Sequence, residues 1–195
     1  MKILLRKSNL SPTNCREPIS GWPNYIGVKD ASGHVIGGVV FGEIFPCTPT
    51  LLRMQWPEWV KRETISSSNR TGTLKNSDLE ISGLLLLWLV MEEVCKVKYG
   101  DHVAVFSNNH PTVSWVDQLA SKSSVVALKL LHTLALRLKT KGALPLTPFH
   151  ISRKQNAMAD ILSRSFSSKP KWYCKTDTDF LIFFNNTFSL LNKAS

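Results

Sequence analysis

Two β-rich runs of apolar and small residues, Tyr25 to Asp30 and His34 to Phe41, stand out along the chain. Ala31-Ser32-Gly33 separates the two runs, so the pattern predicts two strands closed into a hairpin. Gly27, Gly37 and Gly38 inside these strands point to bulges or close backbone approach. A third strand is expected over residues 51–55, ended by Pro57, and the polar, Ser/Thr-rich stretch 61–76 reads as a long loop. From Ser77 the period changes. Ser77 and Glu80 are spaced as a capping box, which predicts a helix running to about Lys96. Glu80, Leu84, Leu87 and Met91 share one stripe of that helix, and the first member of the stripe is a carboxylate.

Gly100-Asp101 turns the chain into a fourth strand, His102 to Phe106, which stops abruptly at the neutral cluster Ser107-Asn108-Asn109. Pro111 suits the first position of a short helix. Val125, Leu128, Leu131, Ala135 and Leu138 recur at helical spacing and predict a longer one. Residues 143–151 return as a fifth strand, which Pro145 and Pro148 confine to an edge or an irregular path. Asn156 is expected to cap a last helix through about Ser163. Residues 1–22 lack periodicity and read as an N-terminal arm, 23–168 as the folded domain, and 169–195 as a C-terminal extension. Three antiparallel strands followed by units that add parallel strands make an α/β fold, a mixed five-stranded sheet with helices on both faces.

Composition narrows the setting. The 195 residues are 43% hydrophobic and 19% charged, enough to bury a core. The net charge of +10 is uneven: from Lys122 to Lys175 there are eleven basic residues and one acid, Asp160. Such a surface suits a polyanion, although a merely solvated basic face gives the same count. Lys122, Lys129, Arg137, Lys139 and Lys141 are candidates to track a phosphate backbone, with Arg153 and Lys154 beside them. The four cysteines are scattered, so neither a zinc site nor a disulfide framework is indicated. The longest apolar run, Leu84 to Met91, is eight residues, short of the roughly 20 that span a bilayer. An intracellular protein of cytoplasm or nucleus, not secreted and with no membrane partner, is the expectation.

Three acids occupy special places. Asp30 ends the first strand, Glu80 lies in the first turn of the first long helix, and Asp160 stands alone in the basic stretch. Each has a plain structural explanation as turn former, capping partner or helix N-terminal charge. Spacing alone does not separate these from chemistry.

The stretch His150-Ile-Ser-Arg-Lys-Gln-Asn156-Ala-Met-Ala159-Asp160-Ile-Leu-Ser163-Arg164 does. It resembles the C-terminal signature of ribonuclease H domains in retroelement reverse transcriptases, H-I-x-G-x-x-N-x-x-A-D-x-x-S-R. The Asp30-Ala-Ser hairpin, Glu80 on the first long helix, and SNNHPTVSW in place of S/C-D-N-x-P-T-V-x-W follow in the family's order, over about residues 20–190. The likeness is to DIRS-like and related retroelements. It implies a ribonuclease H-like fold, an RNA/DNA hybrid as nucleic-acid partner, a reverse transcriptase domain in the same polyprotein, and an endonuclease (hydrolase) chemistry. It further implies two Mg²⁺ (or Mn²⁺) ions held at positions 30, 80, 108 and 160, where in-line phosphodiester hydrolysis needs one ion on the water and one on the leaving oxygen. Asp30, Glu80 and Asp160 are then the metal-binding acids. His150 is the residue the motif places for product release.

This chain departs from the pattern twice. Asn108 stands where the third acid belongs, and Arg153 where the motif has Gly. An amide carbonyl can ligate Mg²⁺ but brings no charge. The expectation is therefore an impaired nuclease, with a non-catalytic nucleic-acid-binding or scaffolding domain of the same fold as the alternative.

Overall fold

A computed structural model describes residues 23–42 and 49–164; the arm at 1–22 and the extension at 169–195 lie outside the described residues. The element order is β1 (Tyr25–Ala31), β2 (Val35–Phe41), β3 (Thr50–Gln55), α1 (Glu58–Glu63), α2 (Asn76–Glu93), β4 (Val103–Ser107), α3 (His110–Gln118), α4 (Val125–Lys141), β5 (Thr147–His150) and α5 (Ala157–Arg164). The strands form one sheet in the order β3-β2-β1-β4-β5. β1 pairs antiparallel with β2, and β2 with β3, whereas β4 lies parallel to both β1 and β5. This is the mixed five-stranded α/β sheet expected from the pattern. β5 is an edge strand, which suits its Pro148, opposite Val105.

Three local differences have physical causes. The polar stretch after Pro57 begins as the short helix α1, whose Val60 is buried. β5 covers only the last residues of the run expected from 143 to 151, because its Pro-containing start makes no ladder. α2 begins earlier than the Ser77–Glu80 spacing suggests. Asp78 Oδ2 accepts from the Lys75 N–H at 2.8 Å and closes the helix start, so Glu80 has no capping role.

α2 is buried from Asp78 to Glu92 on every side, because it lies between the sheet and the flanking helix α4. Its eight-residue apolar run therefore forms the centre of the core rather than one stripe. Among the described residues no helix is long and apolar enough to cross a membrane. α5 packs on the opposite face of the sheet, over β2. A Cβ on Gly37 would lie 2.5 Å from the Ser163 nitrogen and 2.6 Å from the Ala159 carbonyl, so only glycine lets α5 come this close. Trp115 packs against the core, half-buried.

Candidate functional site at the end of β1

Strand pleating sends successive side chains of β1 to opposite faces. Gly27, Lys29 and Ala31 face α2; Asp30 faces α5. Continuing the parallel register from Val28 opposite Phe106 by two residues brings Asp30 level with Asn108, just past β4. α5 delivers Asp160 and Ser163 from one side, and the first turns of α2 deliver Glu80 from the other. Asp30, Glu80, Asn108, Arg153, Asp160 and Arg164 all line one cleft of about 500 Å³. The four positions named by the motif thus converge, although they are spread over 131 residues of sequence.

The contacts within the cleft are specific. Asn108 Nδ2 donates to Asp30 Oδ1 at 3.2 Å. Ser163 Oγ lies 2.6 Å from Asp30 Oδ2 and 2.9 Å from the Asp160 carbonyl, and its one proton goes to the charged acceptor. Both Asp30 oxygens therefore have donors. Asp160 Oδ1 is held at 2.8 Å by an Arg164 Nη and at 3.4 Å by Arg153 Nε. The residue that departs from the motif's glycine thus reaches the motif's aspartate.

The most consequential partner is one that the motif does not contain. Lys29, fully buried, forms an ion pair with Glu80, itself 3% exposed. Burial pushes the Glu80 carboxyl above its ordinary value of 4.5, while the Lys29 ammonium pulls it down. Strict alternation with Gly27 and Ala31 placed Lys29 on the α2 face, and a carboxylate headed the apolar stripe of α2. Together those were the available signal. Ser163 and Arg164 were legible as motif letters, but not as partners of Asp30 and Asp160. Asn156, expected as a cap, is fully buried and donates from Nδ2 to the Lys29 carbonyl at 3.1 Å, tying α5 to β1.

The other candidates sit elsewhere. His150, at the end of β5, is exposed and does not line the cleft; its ring stacks on His110 with centroids 3.6 Å apart. Arg137 and Lys141 on α4 turn toward α2, where Glu92 receives them at 3.0 and 3.4 Å. Lys122, Lys139 and Lys154 are exposed and Lys129 is half-buried. Of the seven basic candidates, Arg153 alone lines the cleft.

The donor set does not fit the two divalent ions that the motif implies. Among the described residues no group of three or more His, Cys, Asp or Glu side chains is arranged to hold a metal ion. The three cleft acids are matched by three bases: Glu80 by Lys29, and Asp160 by Arg153 and Arg164, with Asp30 bonded to two neutral donors. A site that collects two divalent cations needs a net negative charge, and these three acids and three bases sum to zero.

Comparison with known proteins agrees with this architecture. No model of a known protein family matches the chain, and no curated protein matches it either. Solved structures do. LC11 ribonuclease H1 in complex with an RNA/DNA hybrid superposes with a TM-score of 0.50 at 20% identity, covering 71% of this chain and 92% of that one. The N-terminal ribonuclease H domain of Rv2228c from Mycobacterium tuberculosis gives 0.48 at 15% identity, covering 71% and 94%. The prototype foamy virus protease–reverse transcriptase gives 0.46 at 14% identity, covering 80% of this chain and 23% of that one. The chain has the ribonuclease H fold.

Proposed function

We propose that the chain is a ribonuclease H-like domain of a retroelement reverse transcriptase polyprotein that engages RNA/DNA hybrids and has lost most or all of its hydrolytic power. The observation that supports this reading is the contact between Asn108 and Asp30: the positions that the motif assigns to four acids line one cleft, and the amide at one of them donates to the carboxylate at another. Two carboxylates at that separation repel unless cations lie between them, whereas an amide and a carboxylate attract. Asn108 makes the site self-consistent without ions and removes a charge that hydrolysis needs. The His150–Arg164 motif supports the retroelement origin. Hybrid binding is supported by the basic stretch and by LC11 ribonuclease H1, the fold neighbour solved with such a hybrid. The alternative, a purely scaffolding domain, predicts no hybrid affinity at all.

The test is binding and cleavage of an RNA/DNA hybrid by the wild type and by Asn108→Asp, in Mg²⁺ and in Mn²⁺. Salt-sensitive binding with cleavage near background in the wild type is expected. Robust, metal-dependent turnover, equal in both proteins, overturns the reading.

A further inference from the structure

We infer that Lys29 is a resident cation standing beside Glu80 in place of a divalent ion, and that Arg153 and Arg164 at the mouth make this cleft a metal-independent site for a nucleic-acid phosphate. The inference rests on the hybrid-binding reading above and names the groups that would meet the hybrid.

Lysine is almost never fully buried unless paired, and this one is 0% exposed with its ammonium on Glu80. The pair lies one residue from Asp30 along β1 and borders the cleft through Glu80. A fixed positive charge there repels an approaching divalent ion and already answers the carboxylate that such an ion would need. Asn108 and Ser163 occupy both oxygens of Asp30 with hydrogen-bond donors. In both places the charge or donor is covalently part of the chain, so it needs no metal concentration in solution.

The outward side is built differently. Arg153 and Arg164 are 64% and 53% exposed, and each gives Asp160 one nitrogen. A guanidinium has five N–H donors in a planar fork, so both retain donors for a second anion. Phosphate is the anion that such forks bind in bidentate fashion. The Asp160 carboxylate between them aligns the two side chains without cancelling both charges. In a two-metal site the phosphate is bridged to the acids by ions. Here the arginines supply the contact directly.

The experiment measures affinity of the full chain for an RNA/DNA hybrid by fluorescence anisotropy, over a salt series, with Mg²⁺ or with EDTA. The wild type is expected to bind equally well in both. The double variant Arg153→Gln/Arg164→Gln is expected to bind about tenfold more weakly, with a salt slope lower by about 2. Lys29→Thr/Asn108→Asp is expected to become dependent on Mg²⁺. Loss of wild-type binding in EDTA, an unchanged salt slope in the arginine variant, or a Lys29→Thr/Asn108→Asp protein indifferent to Mg²⁺ overturns the inference. The wild-type and arginine arms decide it even where removal of Lys29 unfolds the chain. A wild type with no hybrid affinity in either buffer strikes the proposed function instead.

Discussion

Lys29 and Asp30 are consecutive residues, yet they belong to two regions of opposite character. On the α2 face, Lys29 and Glu80 form an ion pair sealed from water. On the α5 face, Asp30 is held by Ser163 and Asn108 at the edge of an open cleft, where Asp160 pairs with two exposed arginines. A sealed pair is a fixed property of the fold, because removing one partner strands the other charge in a place that cannot solvate it. Exposed pairs contribute little to stability and exchange partners readily. The sealed side therefore sets what the cleft cannot take, and the open side sets what it can.

The largest way to break this contrast is Lys29→Met. It leaves the Glu80 carboxylate uncompensated and is expected to lower stability by about 3–5 kcal/mol at neutral pH, measured by chemical denaturation. The pH dependence gives a further check. Burial already raises Glu80 above 4.5, and loss of the ammonium raises it further. A carboxyl whose folded value is raised binds its proton more tightly when folded, so the variant loses stability as pH rises from 4.5 through that folded value. The gap between wild type and variant should thus shrink as pH falls toward 4.5. Adding Glu80→Leu to Lys29→Met should recover most of the loss, since a buried pair is often replaced by apolar side chains without penalty.

Gly37→Ala acts on the open side through the backbone. The added methyl meets the Ser163 nitrogen and the Ala159 carbonyl, neither of which can turn aside, so α5 must lift from β2. A loss of about 1–3 kcal/mol is expected, together with weaker hybrid binding, because Asp160 and Arg164 travel with the helix. Arg164→Gln should have the smallest effect on stability, under about 1 kcal/mol for an exposed pair. A larger loss would mean that the rim is as structural as the sealed pair.

The fold was legible because its signals are local. The two β-rich runs around Ala31-Ser32-Gly33, the apolar run of α2 and the Pro148 of β5 each mark an element, and the mixed sheet follows from their order. The convergence of positions 30, 80, 108 and 160 was legible only through the motif, since strand ends and helix starts meet in space and not in sequence. What stayed hidden was who pairs with whom. Ser77 and Glu80 had the spacing of a capping box, but Asp78 takes the cap, and Glu80 is left for a lysine 51 residues earlier. A hydrophobic pattern registers Lys29 only as one polar residue in a strand. Its meaning depends on a helix that has not yet been placed. The α4 basic residues show the same limit, because their sum of charge predicts a surface while Glu92 draws Arg137 and Lys141 inward.

The central claim, that the cleft's own side chains have replaced its ions, is tested most directly by calorimetric titration of the wild type with Mn²⁺, alongside Lys29→Thr/Asn108→Asp and Asp30→Asn. The account predicts no saturable binding by the wild type, and binding that emerges in the Lys29→Thr/Asn108→Asp protein. Saturable binding by the wild type that disappears in Asp30→Asn would contradict it.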